Sequence, residues 1–407
     1  MRIAWNNLQN KFYTTMKKIS DNLFYIGTDD LDLDLFESQY PVPEGMAYNS
    51  YLIKAGKIAI LDTADGRKAD EWLANLSEAL GTAQPDYLVV HHLEPDHSSV
   101  IARVLELYPK LTVAASAKAV QMMGQFFPEF DFNGRTLSLK EGDELDLEGR
   151  SLKFFTAPMV HWPEVMVSFD SASGTLFSAD AFGKFGALSK CGFFGEEEED
   201  WACEARRYYF NICGKYGTPV QTLLKKISAL DLKVIAPAHG PILRKDLDKY
   251  LELYDIWSKY EAEKAGVLVA YASIHGGTAK AAKEIGEMIA AKGVKAKVVD
   301  IARMEVSEAV EDAFSYNKVI LAASSYDGGL FPPMYNFLHH LQDKAWQKRR
   351  IGIIENGSWA PCAGRIMKDM VSGLKEMEIL EPTVTIKSVM KQEDRSALEI
   401  LANEIVK

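Results

Sequence analysis

The sequence predicts an α/β protein with two domains, and three observations support this prediction. The chain has 407 residues, which is more than a single hydrophobic core usually organises. As far as about Gly240, short β-type runs alternate irregularly with loops and a few helical segments. After Gly266, strand-like and helix-like segments alternate regularly. We therefore expect one domain at residues 1–262 and a second at residues 266–407.

The first domain has the pattern of sheets flanked by helices. Its β-type runs are rich in branched and aromatic residues and are separated by turn-forming residues. A helical segment, ADEWLANLSEAL, lies between two of them. The runs are NLFYIG, YNSYLIKAGKIAILDT, YLVV, LTVAAS, SLKFFT, GTLFSA and LKVIAPA.

The second domain follows a predicted helix, DKYLELYDIWSKYEAEKAG, that we expect to end at Gly266. Apolar residues of the segment Gly277–Lys292 lie on one helical face, and Gly293 ends that helix. Five strands separated by helix-length segments predict a doubly wound parallel sheet. The strands are VLVAYA, VKAKVVDIA, KVILAASS, RRIGIIEN and VTIKSV.

Composition excludes several classes of function. The formal net charge of -11 disfavours a nucleic-acid partner, because such a surface repels phosphate. The four cysteines are scattered and form no Cys-x-x-Cys pair, which disfavours a zinc ribbon or a disulfide framework. No signal peptide or membrane span is recognisable, so we expect a cytoplasmic protein. The acidic run GEEEED at 195–200 has the composition of a solvated loop.

The segment HHLEPDHSS at 91–99 concentrates metal-binding side chains directly after an apolar run. In an extended segment, alternate side chains share one side, so His92, Glu94 and Asp96 converge, and His97 follows at the next position. His91 points to the opposite side, which predicts a packing or supporting role. A solvated polar loop remains an alternative for this stretch considered alone.

Three further candidate ligands also follow short apolar runs. His161 follows SLKFFTAPMV, Asp180 follows GTLFSA, and His239 follows LKVIAPA. Strand ends and their loops are where α/β folds build functional sites. With the four residues at 92–97, this makes seven potential ligands, which suits two metal ions that share a carboxylate.

This pattern of histidines and acids resembles that of the flavodiiron proteins. The resemblance implies an N-terminal αββα sandwich like that of the metallo-β-lactamases, followed by a flavodoxin-like domain. It further implies that one iron is held by His92, Glu94 and His161, the other by Asp96, His97 and His239, and that Asp180 bridges them.

Glu94 indicates which metal the site prefers. Hydrolases of this fold usually present histidine at that position, and a carboxylate hardens the site and stabilises a higher oxidation state. The donor set therefore favours iron redox chemistry, although zinc remains possible from the ligands alone.

The second domain contains three loops that resemble the FMN site of flavodoxins. The first combines glycines and hydroxyls before a helix N-terminus, a pattern typical of phosphate binding, and it lacks a Walker lysine. A merely structural turn and packing roles for Tyr326 and Trp359 are the alternatives. The predicted flavin residues are Ser273, Ile274, His275, Gly276, Gly277, Thr278, Ser324, Ser325, Tyr326, Asp327, Gly328, Gly329, Asn356, Gly357, Ser358, Trp359 and Ala360.

As the resemblance implies, reduced FMN passes electrons to a diiron centre that reduces dioxygen to water or nitric oxide to nitrous oxide. Flavodiiron proteins are head-to-tail dimers, so we expect a homodimer or a dimer of dimers. We expect no rubredoxin module after Lys407, and therefore a separate donor: a rubredoxin, a flavin reductase or a reduced deazaflavin. We expect residues 1–15 to be an extension, with the family-like core beginning at Met16.

Two other functions compete with this prediction. One is a zinc-dependent hydrolase of the metallo-β-lactamase type fused to a flavodoxin domain, against which Glu94 and the complete ligand set speak. The other is an electron carrier with a vestigial metal domain, which the seven filled ligand positions disfavour.

Overall fold

We describe the protein from a computed structural model, which covers residues 17–407. The expected extension at residues 1–15 lies outside this range. The chain divides into two compact units. The first takes in the described residues up to Ala205 together with Thr222–Tyr250, and the second takes in Arg206–Gln221 and Leu251–Lys407. The domain boundary at 262–266 stays a prediction.

The elements that precede residue 260 are mostly short strands. The strands are β1 (Lys17–Ser20), β2 (Leu23–Tyr25), β3 (Thr28–Asp30), β4 (Leu35–Phe36), β5 (Tyr40–Pro41), β6 (Met46–Tyr48), β7 (Tyr51–Lys54), β8 (Ile58–Leu61), β9 (Tyr87–Val90), β10 (Thr112–Ser116), β11 (Thr136–Leu139), β12 (Glu144–Asp146), β13 (Ser151–Thr156), β14 (Met166–Asp170), β15 (Thr175–Phe177) and β16 (Val234–Ala236). The α-helices are α1 (Ala69–Leu80), α2 (Pro95–Ser98), α3 (Ile101–Leu107), α4 (Ala117–Phe126), α5 (Leu188–Cys191), α6 (Trp201–Ile212), α7 (Gly217–Ile227) and α8 (Leu247–Ser258). Short 3₁₀ helices span Gly66–Lys68, Gly195–Glu197 and Gly214–Tyr216.

The first unit contains two mixed sheets. The larger has the strand order β1-β2-β7-β8-β9-β10-β11, and the smaller has the order β12-β13-β14-β15-β16. In the larger sheet, β8, β9, β10 and β11 run parallel. In the smaller sheet, β16 runs parallel to β15 while the other neighbours are antiparallel. Neighbouring parallel strands end at the same edge of a sheet, so the loops that follow these strands lie close together at that edge.

One hydrophobic core joins these two sheets. From the larger sheet, Tyr51, Ile53 and Val89 enter this core, where they pack with Leu152 and Phe154 from the smaller sheet. Leu52, which lies between Tyr51 and Ile53 in β7, is not part of this core. This alternation follows from the two-residue period of a strand. The predicted sandwich of two packed sheets is therefore confirmed.

The second unit is a parallel sheet with helices between its strands. Its strands are β17 (Lys264–Ala272), β18 (Ala296–Asp300), β19 (Tyr316–Tyr326), β20 (Gly329–Leu330), β21 (Arg350–Asn356), β22 (Glu378–Ile379) and β23 (Val384–Ile386). Its helices are α9 (Gly277–Ala291), α10 (Val306–Ser315), α11 (Pro332–Asp343), α12 (Ala363–Ser372) and α13 (Gln392–Val406). The sheet order β18-β17-β19-β21-β22, with β23 also on β21, confirms the doubly wound parallel prediction. Among residues 17–407, no helix combines the length and apolar character needed to span a bilayer.

Two local predictions were wrong. The helix expected to end at Gly266 stops at Ser258, because Tyr260 has a left-handed φ of 59° and strand β17 already begins at Lys264. The predicted loop 324–329 is partly a hairpin, since Ser325 and Tyr326 belong to β19 and pair with β20. At the hairpin, pairing with a neighbouring strand overrides the local pattern.

Arg349 organises the second unit from inside. Its side chain is only 2% exposed, and burial lowers the pKa of its guanidinium to about 10, so it keeps its charge at neutral pH. It donates to the carbonyl oxygens of Phe314 at 2.6 Å, Tyr260 at 2.7 Å and Gln347 at 2.7 Å. The several N–H groups of one planar guanidinium can thus donate to backbone carbonyl oxygens that have no partner within a helix or a sheet.

Replacing Arg349 by methionine should lower the free energy of unfolding by about 3 kcal/mol, because buried carbonyls lose their donors. Urea unfolding followed by far-UV circular dichroism measures this loss. Arg365→Met is the matched control, since the Arg365 side chain is 70% exposed. Equal stability of the two variants would contradict the role assigned to Arg349.

Candidate functional site

The seven predicted ligands lie together at one end of the first unit. His92 follows β9, and Asp96 and His97 lie in the short helix α2. His161, Asp180 and His239 follow β13, β15 and β16. Their ligand atoms form three overlapping groups, in each of which all atoms lie within 4.8 Å of one another. The groups are His92, Glu94, His161 and Asp180; His92, Asp96 and His97; and His97, Asp180 and His239.

Asp180 stands between two sets of these side chains. Its Oδ2 atom lies 2.9 Å from Nε2 of His161 and 3.4 Å from Nε2 of His92. Its Oδ1 atom lies 3.7 Å from Nε2 of His97 and 3.8 Å from Nε2 of His239. Each carboxylate oxygen therefore faces a different pair of imidazoles, which is the arrangement of a carboxylate that bridges two cations.

Glu94 and Asp96 complete the two sets separately. Glu94 Oε2 lies 2.7 Å from Nε2 of His161, on the side of Asp180 Oδ2. Asp96 Oδ2 lies 3.2 Å from Nε2 of His239, on the side of Asp180 Oδ1. Glu94 and Asp96 thus lie on opposite sides of Asp180, while His92, Asp96 and His97 also form one of the three groups. The two triads that the resemblance implies stay a prediction.

Several ligand atoms are buried and have no hydrogen-bond partner among the described residues. These include both ring nitrogens of His92, both carboxylate oxygens of Asp96 and Oδ1 of Asp180. Leaving such atoms unsatisfied in the interior is costly. Bound cations would satisfy them, so this donor set fits a metal centre.

The tautomer of His239 is fixed by the backbone. Its Nδ1 donates to the carbonyl oxygen of Ala47 at 2.7 Å, which leaves the Nε2 lone pair directed into the cluster. The ring is enclosed by aromatic side chains, with centroid distances of 5.4 Å to Phe36 and 6.1 Å to Tyr48. These contacts restrict the orientation of the imidazole.

The carboxylates determine the protonation of the histidines on one side of the cluster. Burial opposes the charged imidazole, but Asp180 and Glu94 raise the pKa of His161 to about 10 and that of His92 well above its usual value. Burial likewise opposes the charged carboxylate of Glu94, yet His161 and His92 hold its pKa at about 2. Without metal, protonated imidazoles therefore supply positive charge that cations would otherwise supply.

On the other side of the cluster, the pKa shifts differ between the two histidines. Burial opposes the charged form of His239, but Asp96 and Asp180 raise its pKa. Burial and the charge of Glu94 raise the pKa of Asp96 to about 6. Burial, together with repulsion from His239 and His92, lowers the pKa of His97 well below its usual value. A neutral imidazole has the lone pair that a metal ion requires.

Sequence reasoning missed the residues that hold the end of β9. Asp62 follows β8. Its carboxylate accepts a hydrogen bond from the backbone N–H of His91 at 2.8 Å and lies 2.5 Å from the ring Nδ1 of His91. The His91 Nε2 is 2.8 Å from the hydroxyl of Ser168 on β14. Glu164 also accepts from the N–H of Leu93 at 2.9 Å. The strand-end position of Asp62 was the signal that could have identified it.

His91 therefore connects the two sheets immediately beside His92. Asp62, His91 and Ser168 have the order of a hydrolytic triad, but all three side chains are buried. A serine that is 0% exposed on a strand interior has no room for a substrate. The supporting role predicted for His91 agrees with this geometry.

The first predicted flavin loop follows β17, whereas the second and third begin within the last residues of β19 and β21 in the second unit. The first and second loops meet where the hydroxyls of Thr278 and Ser324 lie 2.8 Å apart. The second and third meet at Ser325, whose Oγ accepts from the backbone N–H groups of Cys362 and Ala363 at 2.8 and 3.1 Å. Parallel strands thus bring all three loops to one edge of the sheet.

The first loop has the features of an anion site. Ser273 Oγ accepts from the N–H of Gly276, and Gly276 has a φ of 87°, which favours glycine. No side chain caps α9, which begins at Gly277, so its first N–H groups are available to phosphate. A Cβ atom at Gly277 would approach the Ser388 carbonyl oxygen to 2.9 Å, so glycine is required there.

The outer parts of these loops are exposed. Trp359 is 93% and Tyr326 45% exposed, so neither is an ordinary core aromatic. Ile274 is 38% exposed. The remaining exposed members are His275, Gly276, Asp327, Gly328, Ser358 and Ala360. Apolar rings exposed beside an anion site are suited to contact a planar cofactor.

Comparisons with known proteins agree with both units. Residues 46–240 match the ODP family beta lactamase, and residues 268–364 match a flavodoxin domain. The chain is 28% identical to a nitric oxide reductase of Moorella thermoacetica, over 92% of this chain and 94% of the relative. It is 32% identical to diflavin flavoprotein A 1 of Synechocystis sp., over 74% of this chain. This match covers 52% of the Synechocystis protein, so the chain spans about half of that relative.

A solved structure resembles nearly the whole chain. It is a variant of a flavo-diiron protein from Thermotoga maritima, with a TM-score of 0.87 and 25% identity. The match covers 96% of this chain and 97% of the other.

The stability of the metal-free chain should fall as pH rises. The His161 pKa is raised from 6.5 to about 10, so its stabilising charge is fully present below about 6.5 and is lost as pH approaches 10. Thermal unfolding of chelator-treated protein across this window measures the loss. His161→Gln should flatten the profile, whereas His339→Gln, with a 56% exposed side chain, should not. Identical slopes in all three proteins would contradict this electrostatic account.

Proposed function

Because this chain belongs to the flavodiiron proteins, we propose that it is an FMN- and diiron-dependent oxidoreductase that reduces dioxygen to water, nitric oxide to nitrous oxide, or both. The observation that carries this proposal is the buried cluster of four histidines and three carboxylates divided by Asp180. Such a donor set suits two ions with redox activity, and its oxygen and nitrogen atoms match the preference of iron.

We assign the ligands as two triads with one shared residue. His92, Glu94 and His161 would hold one iron, and Asp96, His97 and His239 would hold the other. Asp180 would contribute one oxygen to each. The distances from Asp180 to both sets of imidazoles support this assignment.

FMN would occupy the three loops of the second unit. The free N–H groups at the start of α9 and the hydroxyl of Ser273 would bind its phosphate, and Tyr326 and Trp359 would flank the ring. When bound, the flavin supplies electrons and the irons supply the positions at which dioxygen or nitric oxide is reduced. The chain contributes a buried pocket that keeps bulk water from the ligands and fixes their orientation.

The alternative functions are less well supported. A zinc hydrolase fused to a flavodoxin domain is not favoured, because one relative matched over 92% of this chain is a nitric oxide reductase by name and Glu94 lies within the cluster. An electron carrier with a vestigial metal domain would have no reason to keep seven ligand residues converging in a buried pocket.

We further propose a cytoplasmic protein that receives electrons from a separate donor: a rubredoxin, a flavin reductase or a reduced deazaflavin. A head-to-tail homodimer, or a dimer of dimers, would let the flavin of one subunit face the irons of another. The exposed Trp359 supports an interface at the flavin loops, since large exposed apolar side chains are common at contact surfaces.

Iron-loaded, fully reduced protein should reoxidise its flavin rapidly on anaerobic mixing with dioxygen or nitric oxide in a stopped-flow instrument. Asp180→Ala should lose this response and retain less than about one iron per chain, because both ions share that carboxylate. Asp248→Ala, at an exposed position of α8, is the matched control. Reoxidation that is independent of metal would overturn the proposal, and hydrolysis of thioesters by the zinc-loaded chain would revive the hydrolase.

Replacing Trp359 by alanine should weaken self-association by roughly tenfold or more, as expected for a tryptophan at the centre of an interface. Analytical ultracentrifugation of the FMN-loaded protein over a range of concentrations measures this effect. Ile400→Ala is the control, because Ile400 is 54% exposed on α13. An active monomer, or an unchanged dissociation constant, would contradict the proposed dimer.

A further inference from the structure

A fourth loop adjoins the three predicted flavin loops. It consists of residues 387–391, which follow β23 and precede α13. Within it, the backbone of Ser388 is bonded on both sides to the side chain of Asn356 in the third flavin loop. Asn356 Nδ2 donates to the Ser388 carbonyl oxygen at 3.1 Å, and the Ser388 backbone N–H donates to Asn356 Oδ1 at 3.1 Å. We call this pair of hydrogen bonds the Asn356–Ser388 bracket.

The bracket holds an unfavourable backbone conformation. Ser388 has a φ of 67°, in the left-handed region that residues other than glycine seldom adopt. Ser388 is also exposed, so core packing does not impose this conformation. The two hydrogen bonds to Asn356 compensate for the strain and fix the direction of the Ser388 carbonyl group.

On one side, the bracket contacts the start of α9. An ideal Cβ atom on Gly277 would lie 2.9 Å from the Ser388 carbonyl oxygen and 3.0 Å from Asn356 Nδ2. The backbone of Gly277 is therefore in close contact with both members of the bracket. Since Gly277 is the first residue of α9, the bracket packs against the end of the helix that carries its first free N–H groups.

On the other side, the bracket reaches the third flavin loop. The Ser388 hydroxyl donates to the hydroxyl of Ser358 at 2.8 Å. Ser358 immediately precedes Trp359, the exposed aromatic residue assigned to the flavin ring. One residue of the fourth loop thus connects the phosphate-binding loop with the loop assigned to the ring.

We propose that the Asn356–Ser388 bracket positions the FMN site and makes it specific for the phosphorylated flavin. This proposal rests on the proposed function, because it concerns the same FMN site. Both amide atoms of Asn356 are bonded to Ser388, so in this proposal Asn356 acts as a positioning residue. It orders the N–H groups of α9 before phosphate arrives, and such preordering lowers the cost of binding.

The test compares FMN with riboflavin, which lacks the phosphate, by quenching of flavin fluorescence on the full-length, flavin-free chain. Asn356→Ala should raise the dissociation constant for FMN roughly tenfold or more, because both hydrogen bonds of the bracket are lost and the start of α9 is no longer ordered. Riboflavin affinity should change less than about twofold, because the phosphate contacts contribute nothing to it. Asn317→Ala, at an exposed position of β19, is the matched control.

Two further variants separate positioning from misfolding. Gly277→Ala keeps the bracket residues but displaces the start of α9, so it should reproduce the selective loss of FMN affinity. Ser388→Ala keeps both backbone hydrogen bonds, so it should leave the preference for FMN over riboflavin unchanged and shift only the visible absorption of bound flavin. Far-UV circular dichroism establishes that each variant is folded.

The outcomes distinguish this proposal from the proposed function. A selective loss of FMN affinity in Asn356→Ala and Gly277→Ala supports the bracket. Equal losses for FMN and riboflavin, or no loss in a folded Asn356→Ala chain, overturn it while leaving the FMN assignment intact. Failure of the unaltered chain to bind FMN would instead overturn the proposed function itself.

Discussion

The first unit is organised around an electrostatic constraint: four imidazoles and three carboxylates share one buried pocket. Like charges in a poorly solvated site repel strongly, so the cluster needs either shared protons or cations. The two sheets supply the rigidity that keeps the groups together, since every ligand follows a strand end or lies in the adjacent helix α2. Asp62 and Ser168 add hydrogen bonds to His91 that connect these sheets beside the pocket. The sandwich is thus the support that this concentration of charge requires.

Much of the site could be predicted from sequence because its residues occupy repeated positions. His161, Asp180 and His239 each follow an apolar run, and parallel neighbours end at a common edge. The division of the ligands by Asp180 could not be derived from spacing, because it depends on the orientation of one carboxylate between residues from both sheets. Likewise, the ring contact between Phe36 and His239 could not be predicted, because these residues lie near opposite ends of the first unit's sequence.

The fold was predictable where local and tertiary preferences agree and less so where they conflict. Helices α1 and α9 begin where their apolar periodicity begins, whereas β19 continues through the predicted loop because β20 offers it a partner. The acidic run at 195–200 was interpreted as a solvated loop, yet Glu198 forms an ion pair with the buried Lys184 and Glu196 pairs with Arg244 at 2.8 Å. The composition of this run indicated its negative charge but not the basic side chains, Lys184 and Arg244, with which its glutamates pair.

The distance along the chain between ligands has a consequence for biogenesis. His97 and His239 are 142 positions apart, although their Nε2 atoms lie 2.9 Å from each other. During synthesis the early ligands emerge long before the late ones, so a nascent chain offers incoming ions only a fragment of the pocket. All seven ligands come together only when both sheets have assembled, and a folded pocket of fixed shape then selects among the available ions. Choice of metal is therefore made by the finished architecture, not by the emerging polypeptide.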